Sequence, residues 1–371
     1  MKKIRDLYIH IPFCKKRCPY CDFYSTCGND HIKYIDALLR EYLQMKNLLD
    51  EKLDTIYFGG GTPSILSIEE MDRIIKTIFY SHDISTSEIT IELNPGEIDK
   101  DKLVYYKSSG FNRVSVGVQS FRDSELKTLG RIHNGNEAIK IFDKIRSVGF
   151  DNFNLDLISG IPGQNIESMK YNLEMVKRIS PNHVSAYMLT YYEGTKLTKL
   201  LNSGKIKPCD EDLDLELYNF LIHFLEEIGI KRYEISNYAK DGYKSKHNSN
   251  VWDNGDYLGL GVSAHSKRLN KKWWSPKDFK SYVNTSDFYD FYEEEISGSV
   301  DLFNERMMLS LRTINGVTDK DFLNEIIKSK PEIIGKYLKS NKIIFEDEKF
   351  LRLSKDGFNF YDEIVSDFFI C

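Results

Sequence analysis

Leu7-Tyr8-Ile9-His10-Ile11-Pro12-Phe13-Cys14-Lys15-Lys16-Arg17-Cys18-Pro19-Tyr20-Cys21-Asp22-Phe23 joins an alternating apolar strand to three cysteines with three and then two residues between them. Thiolates at that spacing can come from one loop and hold three corners of a four-iron, four-sulfur cluster, leaving the fourth iron without a protein ligand. An open iron can bind a substrate. The competing reading is a zinc knuckle completed by Cys27 or His31. Structural zinc is usually held by paired knuckles and four closed ligands, and here only Cys18 and Cys21 form a tight pair.

Outward from this loop the chain alternates strand and helix. Ile32, Ile35, Leu38, Leu39, Tyr42 and Met45 recur at helical spacing. Thr55 to Phe58 reads as a short buried strand, Ser67 to about Tyr80 as a helix, and Glu88 to Leu93 as a strand. Asp99 to Ser109 is a helix closed by Gly110, Arg113 to Val118 a strand, Asn136 to Val148 a helix and Phe153 to Ile158 a strand. Glu167 to Ile179 is a helix and Val184 to Leu189 a strand. Six strands separated by helices imply parallel pairing, in a doubly wound sheet or a barrel.

Polar residues decide between the two. The cysteines follow the first strand, Gly59-Gly60-Gly61-Thr62-Pro63 the second, and Gln119-Ser120 the fourth; Glu92-Leu93-Asn94-Pro95 ends the third and Asp156 lies in the fifth. A barrel brings strand ends to one face, where barrel active sites sit, so the expected fold is α/β, a partial six-stranded (β/α) barrel.

Beyond it, Asp212 to Ile228 reads as a helix and Arg232 to Ile235 as strand-like. Tyr257-Leu258-Gly259-Leu260-Gly261 to His265 reads as a loop with a packed edge. The aromatic-dense residues 273–292 are expected between the barrel and the C-terminal part. From Asp301 three helices, two short strands around an acidic turn and a last helix suggest a winged-helix-like α+β domain. The expected division is 1–240, 241–300 and 301–371.

Composition narrows the partners. The 371 residues carry 51 basic against 56 acidic side chains, a net charge of −5. Residues 301–371 hold 11 Lys and Arg against 13 Asp and Glu, so the winged-helix-like part would repel phosphates and no nucleic acid is expected. Apolar residues make up 41% of the chain, ample for a core, yet no run approaches the roughly 18 residues of a membrane span. Six cysteines, three of them in one loop, fit a reducing compartment, and the expected location is cytoplasmic.

The cysteine stretch resembles the Cys-x3-Cys-x-aromatic-Cys signature of the radical S-adenosylmethionine superfamily, with Tyr20 as the aromatic residue. The resemblance implies a [4Fe-4S] cluster on Cys14, Cys18 and Cys21. Its open iron would be chelated by S-adenosylmethionine, and cleavage of that cofactor would release a 5'-deoxyadenosyl radical. It also implies cofactor contacts for Tyr8, Gly60, Gly61, Thr62, Glu92, Gln119, Arg131 and Asp156. Glycines would let the backbone approach the cofactor, Glu92 would accept from ribose hydroxyls, and the Arg131 fork suits a carboxylate. Taken singly, each of these residues is as well explained by an ordinary turn, cap or salt bridge.

Over nearly the whole chain the motifs are similar to one branch of that superfamily. It holds oxygen-independent coproporphyrinogen III oxidases and HemW-type heme chaperones. The oxidases carry a further cysteine where this chain has Phe23, and a longer segment ahead of the loop, whereas thirteen residues precede Cys14 here. Both features point to the chaperones, and so to heme, apo-hemoproteins such as respiratory cytochromes, and an electron donor for the cluster. Peripheral membrane contact is compatible with such recipients, although no anchor is encoded, and nothing specifies an oligomeric state. The chaperones share a His-Asn-x-x-Tyr-Trp motif implicated in heme binding. This chain has His247-Asn248-Ser249-Asn250-Val251-Trp252, with Val251 replacing the tyrosine. The resemblance makes His247 and Trp252 the heme candidates, with His265 and Cys209 as outside ones; packing or loop capping is the alternative for His247. The other functional readings are an oxygen-independent coproporphyrinogen III oxidase or other radical enzyme on a tetrapyrrole, and a zinc-bound scaffold.

Overall fold

The computed structural model describes residues 3–346 and 349–371. The acidic turn expected between the last two strands includes residues 347 and 348 and so lies partly outside the described residues. Six parallel strands run in chain order: β1 Asp6–Ile11, β2 Thr55–Gly60, β3 Glu88–Leu93, β4 Arg113–Gln119, β5 Asn152–Ser159 and β6 His183–Met188. Between them lie α1 His31–Met45, α2 Ile68–Phe79, α3 Lys100–Ser108, α4 Asp123–Thr128, α5 Gly135–Ser147 and α6 Ile166–Ile179. A doubly wound sheet reverses its strand order at a switch point; this one does not.

Helix starts follow local chemistry. Ser67 accepts from the Glu70 amide while the Glu70 carboxylate takes the Ser67 amide, and Asn134 with Glu137 repeats this reciprocal cap. The strands alternate. Leu7, Ile9, Ile11, Ile56, Phe58, Ile91, Val114, Val116, Leu155 and Val184 join Tyr34, Ile35, Leu38 and Ile74 of the helices in one core. Tyr8, His10, Tyr57, Glu92, Arg113, Ser115, Asn154, Asp156 and His183 take the opposite parity. The sheet therefore has an apolar helix side and a polar inner side, and the inner side carries the chemistry.

After α7 Lys196–Asn202 and α8 Glu211–Glu227, the short strands β7 Lys231–Arg232 and β8 Asn237–Ala239 extend the sheet antiparallel beyond β6. The strand-like stretch stops at Arg232 because the chain turns back into β8, with Tyr233 N donating to Asn237 O at 3.0 Å, and Glu234 in this turn pairs with Arg312. Next come α9 Lys246–Trp252 and β9 Leu258–Leu260, which pairs parallel with β1 through Leu7, Tyr8 and Ile9. Thus the glycine-rich segment contributes a ninth strand rather than only a loop. Among the described residues no pairing joins the edge strands β7 and β9, so the sheet stays open.

Then β10 His265–Arg268, β11 Lys271–Trp274, α10 Phe279–Asn284 and β12 Glu293–Ile296 follow. The expected place of the aromatic segment is corrected here: it packs on α1. Glu41 of α1 accepts from Tyr282 (2.6 Å), Tyr292 (2.7 Å) and the Gly261 amide (2.7 Å), and Phe279 stacks on Tyr34. A single buried carboxylate absorbs two tyrosine hydroxyls that apolar packing alone would leave unpaired.

A second core is built by α11 Ser299–Arg312, α12 Lys320–Ser329, α13 Pro331–Lys339, the hairpin of β13 Ile343–Glu346 and β14 Phe350–Leu353, and α14 Tyr361–Phe368. This is the expected order of helices and hairpin. It docks on the sheet where Arg312 pairs with buried Glu234 at 2.6 Å and the Ile314 amide donates to Tyr233 O.

Candidate functional site

The cysteine loop leaves the C-terminal end of β1 and is tied down by its backbone. Cys14 N donates to Thr26 O (2.9 Å) and Thr26 N to Pro12 O (2.7 Å), so both limbs are pinned. His10 adds a third tie. Its Nε2–H donates to Tyr24 O at 3.0 Å, leaving Nδ1 to accept from Tyr8 Oη at 3.1 Å. Burial holds this imidazole neutral, with its pKa lowered to about 4.

Cys14, Cys18 and Cys21 are free thiols, and Cys18 lies close enough to Cys14 and Cys21 to disfavour the ionisation of both. Burial raises the Cys14 thiol, and raises Cys21 to about 11. Thr62 Oγ1 faces Cys14 Sγ at 3.7 Å, and Arg131 Nη1 donates to Cys18 Sγ at 3.5 Å. Among the described residues no three Cys, His, Asp or Glu side chains converge as a ready metal site. Three soft donors on one loop, two of them already receiving side-chain hydrogen bonds, nevertheless fit an iron–sulfur group.

The glycines have a task besides the expected one. A Cβ on Gly60 would sit 2.5 Å from the His10 ring, and one on Gly61 would sit 2.7 Å from Phe13 O. The missing side chain of Gly60 admits His10 of β1, and that of Gly61 admits the backbone of the cysteine loop. Glu92 accepts from Tyr57 Oη (2.8 Å) and Gly60 N (3.2 Å), closing this turn against β3. Desolvation raises its pKa to about 7, with nearby Asp156 adding to the rise. Asp156, raised by desolvation to about 6, accepts from Asn154 Nδ2 at 2.6 Å. Gln119 occupies a left-handed conformation (φ 70°) beyond a register shift in β4, and its buried Oε1 has no hydrogen-bond partner among the described residues. Such an orphaned acceptor suits a polar ligand. These residues thus gather at the C-terminal ends of β1–β5, with Tyr8 deeper on the inner side.

His247 and Trp252 lie elsewhere. α9 closes the opposite end of the strands, where β1, β2 and β3 begin with Asp6, Thr55 and Glu88. Thr55 Oγ1 gives its single proton to Asp6 Oδ1 (2.6 Å), so the 2.7 Å contact with His247 is donated by Nδ1–H. Nε2 is then the bare nitrogen, with no hydrogen-bond partner among the described residues. The ring is 6% exposed, beside Tyr57 and Tyr8. Arg312 lies over Trp252 at 4.2 Å. His265 stacks on Trp274 and Cys209 lies ahead of α8, both apart from α9.

Burial lowers the His247 pKa to about 4. Above pH 6.5 the ring is neutral in both folded and unfolded chains; below it only the unfolded chain gains the proton. Stability from keeping this group neutral is therefore lost as pH falls from 6.5 towards about 4, by up to about 3 kcal/mol. Urea unfolding of parent and His247→Gln should show the parent losing more stability over that window. Parallel pH profiles would refute the assignment.

Sequence reasoning missed three residues here. His10 shares the inward parity of Tyr8, a signal that was available. Asn94 lay inside a quoted motif without a role. Arg113, 2% exposed, shares the inward parity of Ser115, and its Nε has no hydrogen-bond partner among the described residues.

The family model of the radical SAM superfamily matches residues 8–176, the span from the first strand to α6. Heme chaperone HemW of Lactococcus lactis subsp. lactis (strain IL1403) is 30% identical over 100% of this chain and 98% of its own length. The chain belongs to the HemW family. Heme chaperone HemW of Escherichia coli (strain K12) is 38% identical over 71% of this chain and 70% of its own. The HemW-family fold matches the solved coproporphyrinogen III oxidase (HemN) of Escherichia coli with a TM-score of 0.85, covering 99% of this chain and 90% of that one. At 23% identity that likeness concerns the fold alone. In this HemW-family chain no helix among the described residues is long and apolar enough to cross a membrane.

Proposed function

We propose that this protein is a cytoplasmic heme chaperone that binds a [4Fe-4S] cluster, S-adenosylmethionine and heme and passes heme to apo-hemoproteins such as respiratory cytochromes. Full-length similarity to HemW chaperones carries the assignment. The donor set supports it. Cys14, Cys18 and Cys21 would hold the cluster, and Thr62, Glu92, Gln119, Arg131 and Asp156 would line the cofactor's polar groups, with Gly60, Gly61 and Tyr8 shaping the space around it. When bound, cluster and cofactor supply one-electron chemistry, driven by an external electron donor; the protein orients them and excludes water. Phe23, where the oxidases carry another cysteine, argues against coproporphyrinogen decarboxylation.

His247 with Trp252 is the heme site in this proposal. A ligating histidine ordinarily donates its other ring N–H to a fixed acceptor, and His247 already does so to Thr55, which leaves Nε2 bare. His247 is 6% exposed, so access requires a local opening over Nε2 that keeps the Thr55 contact. Anaerobic heme titration of cluster-reconstituted protein is the test. Saturation at a fixed ratio, lost in His247→Ala, is expected, together with transfer of the bound heme to an apo-cytochrome. Saturable binding unchanged by His247→Ala would remove this site, and no saturable binding would end the heme assignment.

A further inference from the structure

Asn94, one residue beyond β3, uses both ends of its amide. Its Oδ1 accepts from Arg131 Nη2 at 2.5 Å, and its Nδ2 donates to Thr62 Oγ1 at 2.8 Å. Both partners reach sulfur, Thr62 at Cys14 and Arg131 at Cys18. Because Thr62 Oγ1 accepts from Asn94, its one proton is free to point at Cys14 Sγ. Arg131 Nη2 is held jointly by Asn94 Oδ1 and Gly117 O (2.6 Å), which fixes the guanidinium plane and aims Nη1 at Cys18 Sγ. Cys21 stands outside this relay.

We propose that Asn94 is a positioning residue that sets, through Thr62 and Arg131, the hydrogen bonds on two of the three cluster thiolates, and thereby the cluster's reduction potential and retention. It rests on cluster ligation by the three cysteines. A one-electron reduction adds negative charge to cluster and sulfurs. Donors aimed at those sulfurs stabilise the reduced form more than the oxidised one, so they raise the potential. A free asparagine cannot hold two donors in fixed directions; this one is fixed because each end of its amide has one partner.

The test uses reconstituted full-length parent, Asn94→Ala, Thr62→Val and the double variant. Electron paramagnetic resonance during titration with dithionite reads the midpoint potential, and transfer of iron to a chelator reads retention. Asn94→Ala is expected to shift the potential to more negative values and to speed iron release about 10-fold or more. Because Asn94 acts partly through Thr62, the double variant should change less than the sum of the two single variants. If Asn94→Ala does not fold, Thr62→Val alone tests the Cys14 arm, with a more negative potential expected. Unchanged potential and iron release in Asn94→Ala, or strict additivity, overturns the proposal while cluster ligation stands. A parent that takes up no iron and sulfide overturns cluster ligation, and the role of Asn94 falls with it.

Discussion

Serine in place of Cys14, Cys18 or Cys21 is expected to give a folded protein that retains less than about a tenth of the parent's iron and sulfide after anaerobic reconstitution, since loss of even an outer-shell partner usually costs about 10-fold or more. A serine hydroxyl is a hard, poorly ionised donor, and two thiolates cannot hold a cluster that needs three from the protein. Folding should survive because the loop is pinned by Cys14 N, Thr26 N and His10 rather than by sulfur. Cys27→Ser and Cys209→Ser are the controls, Cys27 being exposed and Cys209 lying ahead of α8. Both should load like the parent. If Cys27→Ser proves as damaging as Cys21→Ser, a closed four-ligand site, zinc included, would displace the open-iron arrangement.

The second large effect is structural. Gly60→Ala would place a methyl 2.5 Å from the His10 ring at a φ of 107°, so it meets both a clash and left-handed strain. Gly61→Ala would press on Phe13 O and Pro12 C, at 2.7 and 2.8 Å. These are backbone atoms of the cysteine loop, and no rotamer change can move them aside. Each substitution is expected to cost about 3 kcal/mol, from overpacking and, at Gly60, backbone strain. Gly163→Ala is the comparison. It has a similar φ of 85° and nothing within 4 Å of the added methyl, so strain alone should cost about 1 kcal/mol. Thermal unfolding of the three variants checks this ranking. A Gly61→Ala protein melting with the parent would mean that the loop does not pack against β2 as described.

These two expectations differ in what made them visible. The cysteine spacing is a covalent pattern, legible as it stands in the sequence. The glycine turn was equally legible as a motif, but only part of its reason was. Absent side chains suggested close approach to a cofactor, and only the folded arrangement shows that they also admit His10 and the Pro12–Phe13 backbone. His247 is a similar case. Its motif was readable, yet its place at the start of β1–β3, at the other end of the strands from the cysteines, depends on how a short helix packs with His247 192 residues after Thr55.

By itself the sequence determined the six strand–helix units, their caps and the inward parity of the polar residues, because periodicity and capping are local: Ser67 and Glu70, or Tyr8 beside Leu7, need only neighbours to declare themselves. The sequence also carried the family, through motifs that run in order along the chain. Tertiary structure alone decided that Leu258–Leu260 pairs with β1, that Glu41 gathers Tyr282, Tyr292 and Gly261, and that Asn94 joins Thr62 to Arg131. Each of these depends on partners brought together from distant parts of the chain, and a short glycine-rich strand or a lone polar side chain has no periodicity to announce its partner beforehand.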